Sequence, residues 1–256
     1  LCNMTIEGGA KIGYVNPDEK TFEYLNGRKF MPVGQEFEKA KDYWSSVASD
    51  SDANYEDIVK FIAEEIEPMV TWGTNPGQSS PVSGKTPLID RLPEKEKATV
   101  KKALKYMQLP EDMAIKGMNF TDAFIGSCTN GRIEDLRQAA WVIEQVGGKV
   151  SSNINALVVP GSQTVKQKAE LEGLDEIFKE AGFEWRDSGC SQCLGMNPDT
   201  LAAGRLCLST SNRNFENRMG PGARTMLASP ATVTYSALTG EIRDVREVLE
   251  IEKEML

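Results

Sequence analysis

Residues 123–146 read AFIGSCTNGRIEDLRQAAWVIEQV, and this stretch contains the pattern that decides the fold. The apolar run from Ala123 to Ile125 predicts a short buried strand. After a polar loop around Cys128, apolar residues recur at helical spacing and predict an amphipathic helix over 132–146. Strand, loop and helix in this order form the repeating unit of an α/β fold.

The same order recurs towards the end of the chain. Short apolar strands that alternate with amphipathic helices predict an α/β layer with a mostly parallel sheet. The predicted elements are a strand at 154–159, a helix at 163–172, a strand-like run at 178–185, a strand at 206–208 and a helix that opens at Ser229-Pro230 and stops at Gly240.

The part before residue 108 has a different pattern. Apolar residues at helical spacing predict helices over 36–48 and 55–66, and a charged helix is predicted at 94–107. The stretch 73–93 is rich in Gly, Pro and Ser, so it is the best linker candidate.

Composition excludes several kinds of function. The 29 Lys and Arg against 38 Asp and Glu give a net charge of −9, which argues against a general nucleic-acid binder. The chain has no histidine, so it contains no Ser-His-Asp triad, Cys-His pair or imidazole-zinc site. The apolar runs are too short to span a bilayer, and no signal peptide is visible.

The cysteines are the most informative residues. Their odd number fits a reducing compartment: Cys2, Cys128, Cys190, Cys193 and Cys207. Cys190 and Cys193 form a C-x-x-C flanked by Gly189 and Gly195, where the backbone can approach a bulky inorganic group. The pair alone fits a redox dithiol, half of a metal site or chance.

Cys128 is the obvious third thiolate, because it follows a predicted strand as the C-x-x-C does. Three thiolates without a fourth are typical of a catalytic metal site, which keeps one position open. The alternative is that Cys128 is a small buried residue without a ligand.

Three polar segments follow predicted strands, at 127–130, 189–193 and 211–213. Ligands of parallel sheets bind beyond the carboxyl ends of the strands, so the order of the segments predicts one shared site. Arg213 and Arg218 lie in the last of these loops or just after it, where a guanidinium could bind a substrate carboxylate. The alternative is that both are solvated surface arginines.

Six segments carry a resemblance to a known family: 2–7, 70–78, 126–130, 132–137, 189–193 and 209–215. Together they resemble the aconitase superfamily, and most closely its large subunits of 3-isopropylmalate dehydratases. The resemblance implies an aconitase-like three-layer α/β domain with a mostly parallel sheet over 86–256. It implies the end of a preceding α/β domain, with the linker, over 1–85.

The resemblance also implies a cofactor and site residues. A [4Fe-4S] cluster, one per subunit, would be bound by Cys128, Cys190 and Cys193, with one iron lacking a protein ligand. The resemblance also implies roles for other residues. Asn3 and Asn212 would lie in the cluster environment, Glu7 would be the catalytic carboxylate, and Arg213 and Arg218 would bind the substrate carboxylates.

The implied activity is that of a hydro-lyase. It would convert 2-isopropylmalate to 3-isopropylmalate in leucine biosynthesis by dehydration and rehydration. In the family, a separate small subunit and an N-terminal region with histidines complete the site. This chain lacks histidine and starts at a motif that normally lies inside the protein. It is therefore expected to be the C-terminal half of a cytoplasmic large subunit, inactive alone and partnered by the small subunit.

Other interpretations remain open at this point. One is the large subunit of homoaconitate hydratase or a related hydroxy-diacid dehydratase. Another is a non-catalytic metal-binding module, and a third is a zinc protein that uses the same thiolates. Iron-free members of the superfamily can bind RNA, but the net charge of −9 argues against a nucleic-acid partner for this chain. A membrane partner is not expected either.

Overall fold

The computed structural model describes residues 2–6, 8–196 and 198–249. The chain folds into two compact units, Leu1–Ala63 and Glu64–Leu256. No helix among the described residues is long and apolar enough to cross a membrane.

The first unit contains the helices α1 (Glu19–Leu25) and α2 (Gln35–Ser46), and no strand within residues 2–6 and 8–63. Asp18 begins α1 by accepting a 2.9 Å hydrogen bond from the Thr21 amide, which satisfies a free N–H of the first turn. The predicted helix over 36–48 is confirmed as α2.

A small aromatic cluster forms the core of this unit. The ring of Trp44 stacks on Phe22 at 6.2 Å between centroids and meets Phe37 edge-on at 5.8 Å. Phe22 and Phe37 are the buried hydrophobic side chains among the described residues of the unit. So small a core provides little apolar burial for a unit of this length.

The predicted helix over 55–66 is wrong. The structure has irregular chain there, followed by a 3₁₀ turn at Ala63–Glu65. The apolar residues that suggested a helix, such as Ile58, Phe61 and Ile66, are exposed. A short helix needs a surface on which to bury its apolar face, and periodicity alone does not provide one.

The second unit begins with a hairpin and continues as alternating helices and strands. Its strands are β1 (Met69–Thr71), β2 (Ser79–Pro81), β3 (Asp122–Gly126), β4 (Asn155–Val159), β5 (Glu184–Trp185), β6 (Leu206–Ser209) and β7 (Arg224–Leu227). Its helices are α3 (Glu94–Met107), α4 (Ser127–Asn130), α5 (Ile133–Val146), α6 (Gln163–Leu171), α7 (Leu174–Glu180) and α8 (Pro230–Thr239).

The described residues form a five-stranded sheet in the order β5-β4-β3-β6-β7, and every pair in it is parallel. This confirms the predicted α/β fold with a parallel sheet. The chain builds outward from β3 to β5, then crosses back and places β6 on the other side of β3. The strand order therefore reverses between β3 and β6, which is where parallel sheets open a crevice for ligands.

The two faces of the sheet are covered differently. One face packs in a large cluster with side chains of α3, α5, α6, α7 and α8. On the other face Phe124, Leu157 and Cys207 pack with Cys193, Leu201 and Met219. Cys193, Leu201 and Met219 lie outside the strands and the long helices. The chain segment that contains the C-x-x-C thus covers one face of the sheet.

The segment 73–93, predicted as a linker, belongs to the second unit. It contains β2, and Val82 and Thr86 within it are buried. The Thr86 hydroxyl donates to the Pro110 carbonyl at 2.7 Å. Its Gly, Pro and Ser residues form turns of a packed hairpin, and the division into domains at residue 85 stays a prediction.

Most predicted elements of this unit are confirmed, including the helix at 94–107 and the serine-capped helix that ends at Gly240. Two elements differ. The strand-like run at 178–185 is the end of α7 followed by the two-residue β5. Strand β7 follows a glycine-rich turn and was not predicted, because four residues carry too little periodicity.

Candidate functional site

The loops that follow β3 and β6 meet at the point where the strand order reverses. The first carries Cys128, which is exposed on α4. The second carries Asn212 and Arg213, both half-buried. The Thr210 hydroxyl accepts a 2.8 Å hydrogen bond from the Gly126 amide, which joins the loops at their bases. The structure thus brings two of the three predicted polar segments to one edge of the sheet.

A glycine and a strained serine direct the chain into the Cys128 turn. Gly126 has a φ of 131°, and a Cβ on it would overlap the carbonyl of Val159 in the neighbouring strand. Ser127 has a φ of 63°, a left-handed conformation that is unusual for serine. Together they turn the chain sharply at the end of β3, so that Cys128 lies directly above the sheet edge.

The C-x-x-C lies in a tight 3₁₀ turn. Cys190 is exposed just before the turn at Ser191–Leu194, while Cys193 within it is 4% exposed and packs on the sheet. Ser191 has a left-handed φ of 45°, and its hydroxyl donates to Asp199 at 2.8 Å. One thiol of the pair thus faces solvent and the other faces the protein.

Arg218 lies against the second of these cysteines. Its Nε donates to the Cys193 carbonyl at 2.9 Å, and its Nη2 is 3.8 Å from the Cys193 Sγ. The guanidinium also lies 5.1 Å from the centre of the Phe215 ring. A fixed positive charge here complements the negative charge of a metal-bound thiolate.

A third segment, from the hairpin, supports the β6 loop. The Asn214 side-chain amide donates to the Gly73 carbonyl at 2.7 Å and to the Thr71 hydroxyl at 3.1 Å. That hydroxyl also accepts from the Leu227 amide of β7 at 2.7 Å. Thr71 therefore links hairpin, β6 loop and sheet. Sequence analysis gave Thr71 and Asn214 no role, because their partners lie far away in the chain.

Three buried oxygens in the loops that carry or adjoin the predicted site residues have no hydrogen-bond partner within the described structure: Ser127 Oγ, Gln192 Oε1 and Asn214 Oδ1. Ser127 adjoins Cys128, Gln192 lies between Cys190 and Cys193, and Asn214 lies in the β6 loop. An unsatisfied buried polar group costs roughly 1–3 kcal/mol. Each of the three loops contains one such oxygen, and two of these loops also contain a left-handed serine. Unsatisfied buried groups and strained backbone are typical of sites that a ligand completes.

The donor set suits an iron–sulfur cluster, because cysteine thiolates are the ordinary ligands of such clusters. Among the described residues, no group of three or more His, Cys, Asp or Glu is arranged to hold one ion. The zinc alternative gains no support from this. In a [4Fe-4S] cluster each thiolate binds a different iron, so the sulfurs need not converge on one point.

Two other predicted residues lie near the start of the chain. Asn3 is exposed in the 3₁₀ turn Cys2–Met4 of the first unit. Glu7 lies outside the described residues. Cys207 is buried in β6, and burial raises the pKa of its thiol well above the ordinary value, so it stays protonated and inert.

Comparisons with known proteins agree with the architecture. A model of the aconitase family (aconitate hydratase) matches residues 1–240. A relative from Thermus thermophilus, named 3-isopropylmalate dehydratase large subunit, is 55% identical over 249 residues, which is 97% of this chain and 52% of the relative. Relatives of the same name from Rippkaea orientalis and Sorangium cellulosum are each 53% identical, over 97% and 98% of this chain and 53% and 54% of their own lengths.

This chain thus spans about half the length of the curated relatives it matches. The family match covers the first compact unit, most of the second and every loop of the candidate site. Fold, motifs and comparisons agree, and the chain belongs to the aconitase family.

Proposed function

We propose that this chain is the cluster-binding part of a hydro-lyase large subunit that interconverts 2-isopropylmalate and 3-isopropylmalate in leucine biosynthesis. The relatives named 3-isopropylmalate dehydratase large subunit support the reaction class. The observation that carries the proposal is that the Cys128 turn, the C-x-x-C turn and the β6 loop each contain a buried oxygen without a hydrogen-bond partner among the described residues.

The three cysteines would hold a [4Fe-4S] cluster. When bound, such a cluster supplies a Lewis-acidic iron that favours departure of a hydroxyl group. Cys128 and Cys190 are exposed and Cys193 is buried, so the site has both a solvent side and a protein side. All five cysteines are free thiols, which supports a reducing compartment such as the cytoplasm.

The protein's own residues would bind and orient the diacid. Arg213 extends from the β6 loop beside Asn212, at the edge where ligands of parallel sheets bind. Arg218 has hydrogen-bonding capacity left beyond its contacts with Cys193. We assign both to the substrate carboxylates, Asn3 and Asn212 to the cluster environment, and Glu7 to proton transfer at the departing hydroxyl.

Completion of the site requires a partner. The term large subunit in the names of the relatives supports a small subunit. Leu194, Met196 and Phe215 beside the site are 37%, 48% and 51% exposed, an apolar rim suited to burial by another protein surface. We therefore propose that this chain alone does not turn over isopropylmalate.

The test is anaerobic reconstitution of this chain with ferrous iron and sulfide. We expect a brown protein with about four irons per chain, by visible absorption and by iron and sulfide assay. Cys128→Ser, Cys190→Ser and Cys193→Ser should each lose most of the bound iron. Cys2→Ser, at an exposed cysteine, and Cys207→Ala, at a buried one, are the matched controls and should load like wild type.

Equal loading of Cys128→Ser and wild type would refute the three-thiolate assignment. So would a colourless product in which zinc alone binds with one ion per chain. Circular dichroism on each variant shows whether loss of iron follows loss of the ligand or loss of the fold.

A second assay addresses the substrate. The loaded chain is combined with the rest of a relative's large subunit and its small subunit, and the formation of the unsaturated acid from each substrate is recorded by ultraviolet absorption. We expect turnover of 2-isopropylmalate to exceed that of homocitrate. The opposite preference would favour the homoaconitate hydratase alternative.

A further inference from the structure

A second cavity lies at the edge of the sheet opposite to the cysteine loops. Thr121 just before β3, Leu206 at the start of β6 and Arg224 at the start of β7 line it, together with residues 108–110 after α3. Its volume is about 370 Å³, within the range of small-molecule sites. Because the cysteine loops follow the carboxyl ends of the strands, this cavity is separate from the proposed catalytic site.

The cationic group of this cavity is a guanidinium without a carboxylate beside it. Arg224 donates from Nη1 to the Met107 carbonyl at 2.8 Å and from Nη2 to the Gly204 carbonyl at 2.7 Å. Its Nε is buried and has no hydrogen-bond partner among the described residues. Burial lowers the pKa of the Arg224 guanidinium below its ordinary value, as expected for a cation without a counter-charge.

A neighbouring arginine shows the ordinary arrangement. Arg205 lies at the same edge of the sheet and pairs with the buried carboxylate of Asp122 at 2.7 Å. Arg224 forms no ion pair within the part of the chain that the structure describes. A half-buried cation normally has an anion beside it, so the missing partner at Arg224 points to an external one.

The walls of the cavity define the rest of the ligand. They are mostly apolar: Leu109, Pro110, Met113, Met118, Phe120 and Leu206. Methionine and leucine walls favour a short aliphatic chain, and their flexible side chains adapt to its shape. An inorganic anion such as phosphate would leave this apolar surface without a contact.

We propose that this cavity binds a small aliphatic carboxylate. Its carboxylate accepts hydrogen bonds from the Nη protons of Arg224 that the Met107 and Gly204 carbonyls leave over, and its branched hydrocarbon part packs against Leu109, Met113 and Phe120. An Arg–carboxylate pair is short, charge-assisted and directional. Because the cavity lies away from the cysteine loops, an occupant does not compete with the diacid substrate.

The test follows arginine Nε–H signals in ¹⁵N–¹H spectra while isovalerate is titrated into this chain. The Arg224 signal is identified by its absence in Arg224→Lys. We expect the Arg224 Nε–H signal to shift as isovalerate is added and to stop shifting at saturation. Isovaleramide, which has the same shape without the charge, should bind at least about tenfold more weakly. The Arg205 signal, identified through Arg205→Lys, is the internal control and should stay in place.

A second variant keeps the test decisive if Arg224→Lys does not fold. Met113→Glu adds a carboxylate to the wall while Arg224 stays, and should weaken isovalerate binding about tenfold or more. Equal binding of isovalerate and isovaleramide would overturn the proposal. So would an Arg224 signal that does not move, or isovalerate binding that Met113→Glu leaves unchanged.

Discussion

Gly126 joins the end of β3 to the turn that carries Cys128, and three physical demands meet there. Its φ of 131° is closed to other residues, its amide donates to Thr210, and its missing Cβ leaves room for the Val159 carbonyl. A substitution of Cys128 itself should disturb the fold less, because its side chain is exposed on a short helix. The position of the thiolate is thus set by the residues before it.

We expect Gly126→Ala to destabilise the chain by at least about 2 kcal/mol, because the new Cβ meets backbone that cannot yield without shifting β4. Iron loading should fall as well, since the Cys128 turn must move. Urea unfolding gives the first quantity and the reconstitution assay the second.

Gly148→Ala is the matched control. Gly148 lies in the loop after α5, has nothing within 4 Å of an added Cβ and has no positive φ. The change should alter unfolding by about 0.5 kcal/mol or less. If Gly126→Ala were equally mild, the close approach of β3 and β4 at this point would be contradicted.

At the residue scale, sequence reasoning could propose the cysteines and arginines as site residues because their chemistry is carried by residue type. The C-x-x-C and the loops after strands are visible in the letters alone. The unpartnered oxygens of Ser127, Gln192 and Asn214 were not predictable. Whether a polar atom is satisfied depends on neighbours distant in sequence, and a single sequence does not show them.

The hairpin β1–β2 is the element that connects the loop of Asn212 and Arg213 to the sheet. A single hydroxyl makes this connection: Thr71 Oγ1 accepts from Leu227 of β7 and from Asn214 of the β6 loop. Both bonds are buried, so water cannot replace them. The hairpin therefore contributes to the site although it carries none of the predicted ligands.

We expect Thr71→Val to cost about 1–3 kcal/mol of unfolding free energy, because it removes the shared acceptor without changing the volume much. Thr71→Ser keeps the hydroxyl and should recover most of the loss, although it leaves a small cavity. Thermal unfolding of both variants measures this. A larger loss in Thr71→Ser than in Thr71→Val would show that packing of the methyl group, and not the hydrogen bonds, holds the hairpin.

At the element scale, prediction succeeded where the information is local. The helices at 94–107 and 132–146 have an apolar face that the sheet buries, so their periodicity was sufficient. The segment 55–66 has the same periodicity but stays exposed and irregular. The turn-rich stretch 73–93 was expected to be a linker, since composition does not distinguish a mobile linker from a packed hairpin.

Over the whole molecule, apolar burial is distributed unevenly. The large core cluster belongs to residues 70–242. The first unit has Phe22 and Phe37 as its buried hydrophobic side chains among the residues described, and it leaves Phe30, Tyr43 and Phe61 exposed. Local stability follows the local density of buried apolar contacts.

We therefore expect amides of the first unit to exchange with deuterium at least about tenfold faster than those of β3, β4 and β6. Peptide-resolved hydrogen exchange by mass spectrometry provides the comparison. Helix α5 is the internal control, because it is as long as a typical helix but packs on the sheet. Protection of α2 equal to that of α5 would contradict this uneven distribution of stability.

The position of β3 has a consequence for how the chain is made. Its partner β6 emerges late, since Thr121 and Leu206, which are hydrogen-bonded at this junction, are 85 residues apart in sequence. At ribosomal speeds of about 5–20 residues per second, the open side of β3 waits roughly 4 to 17 s for that partner. During this interval the apolar strand Asp122–Gly126 is an unpaired edge that invites pairing with other chains. Yield in the cell should therefore depend on chaperones and temperature more strongly than the stability of the finished sheet suggests.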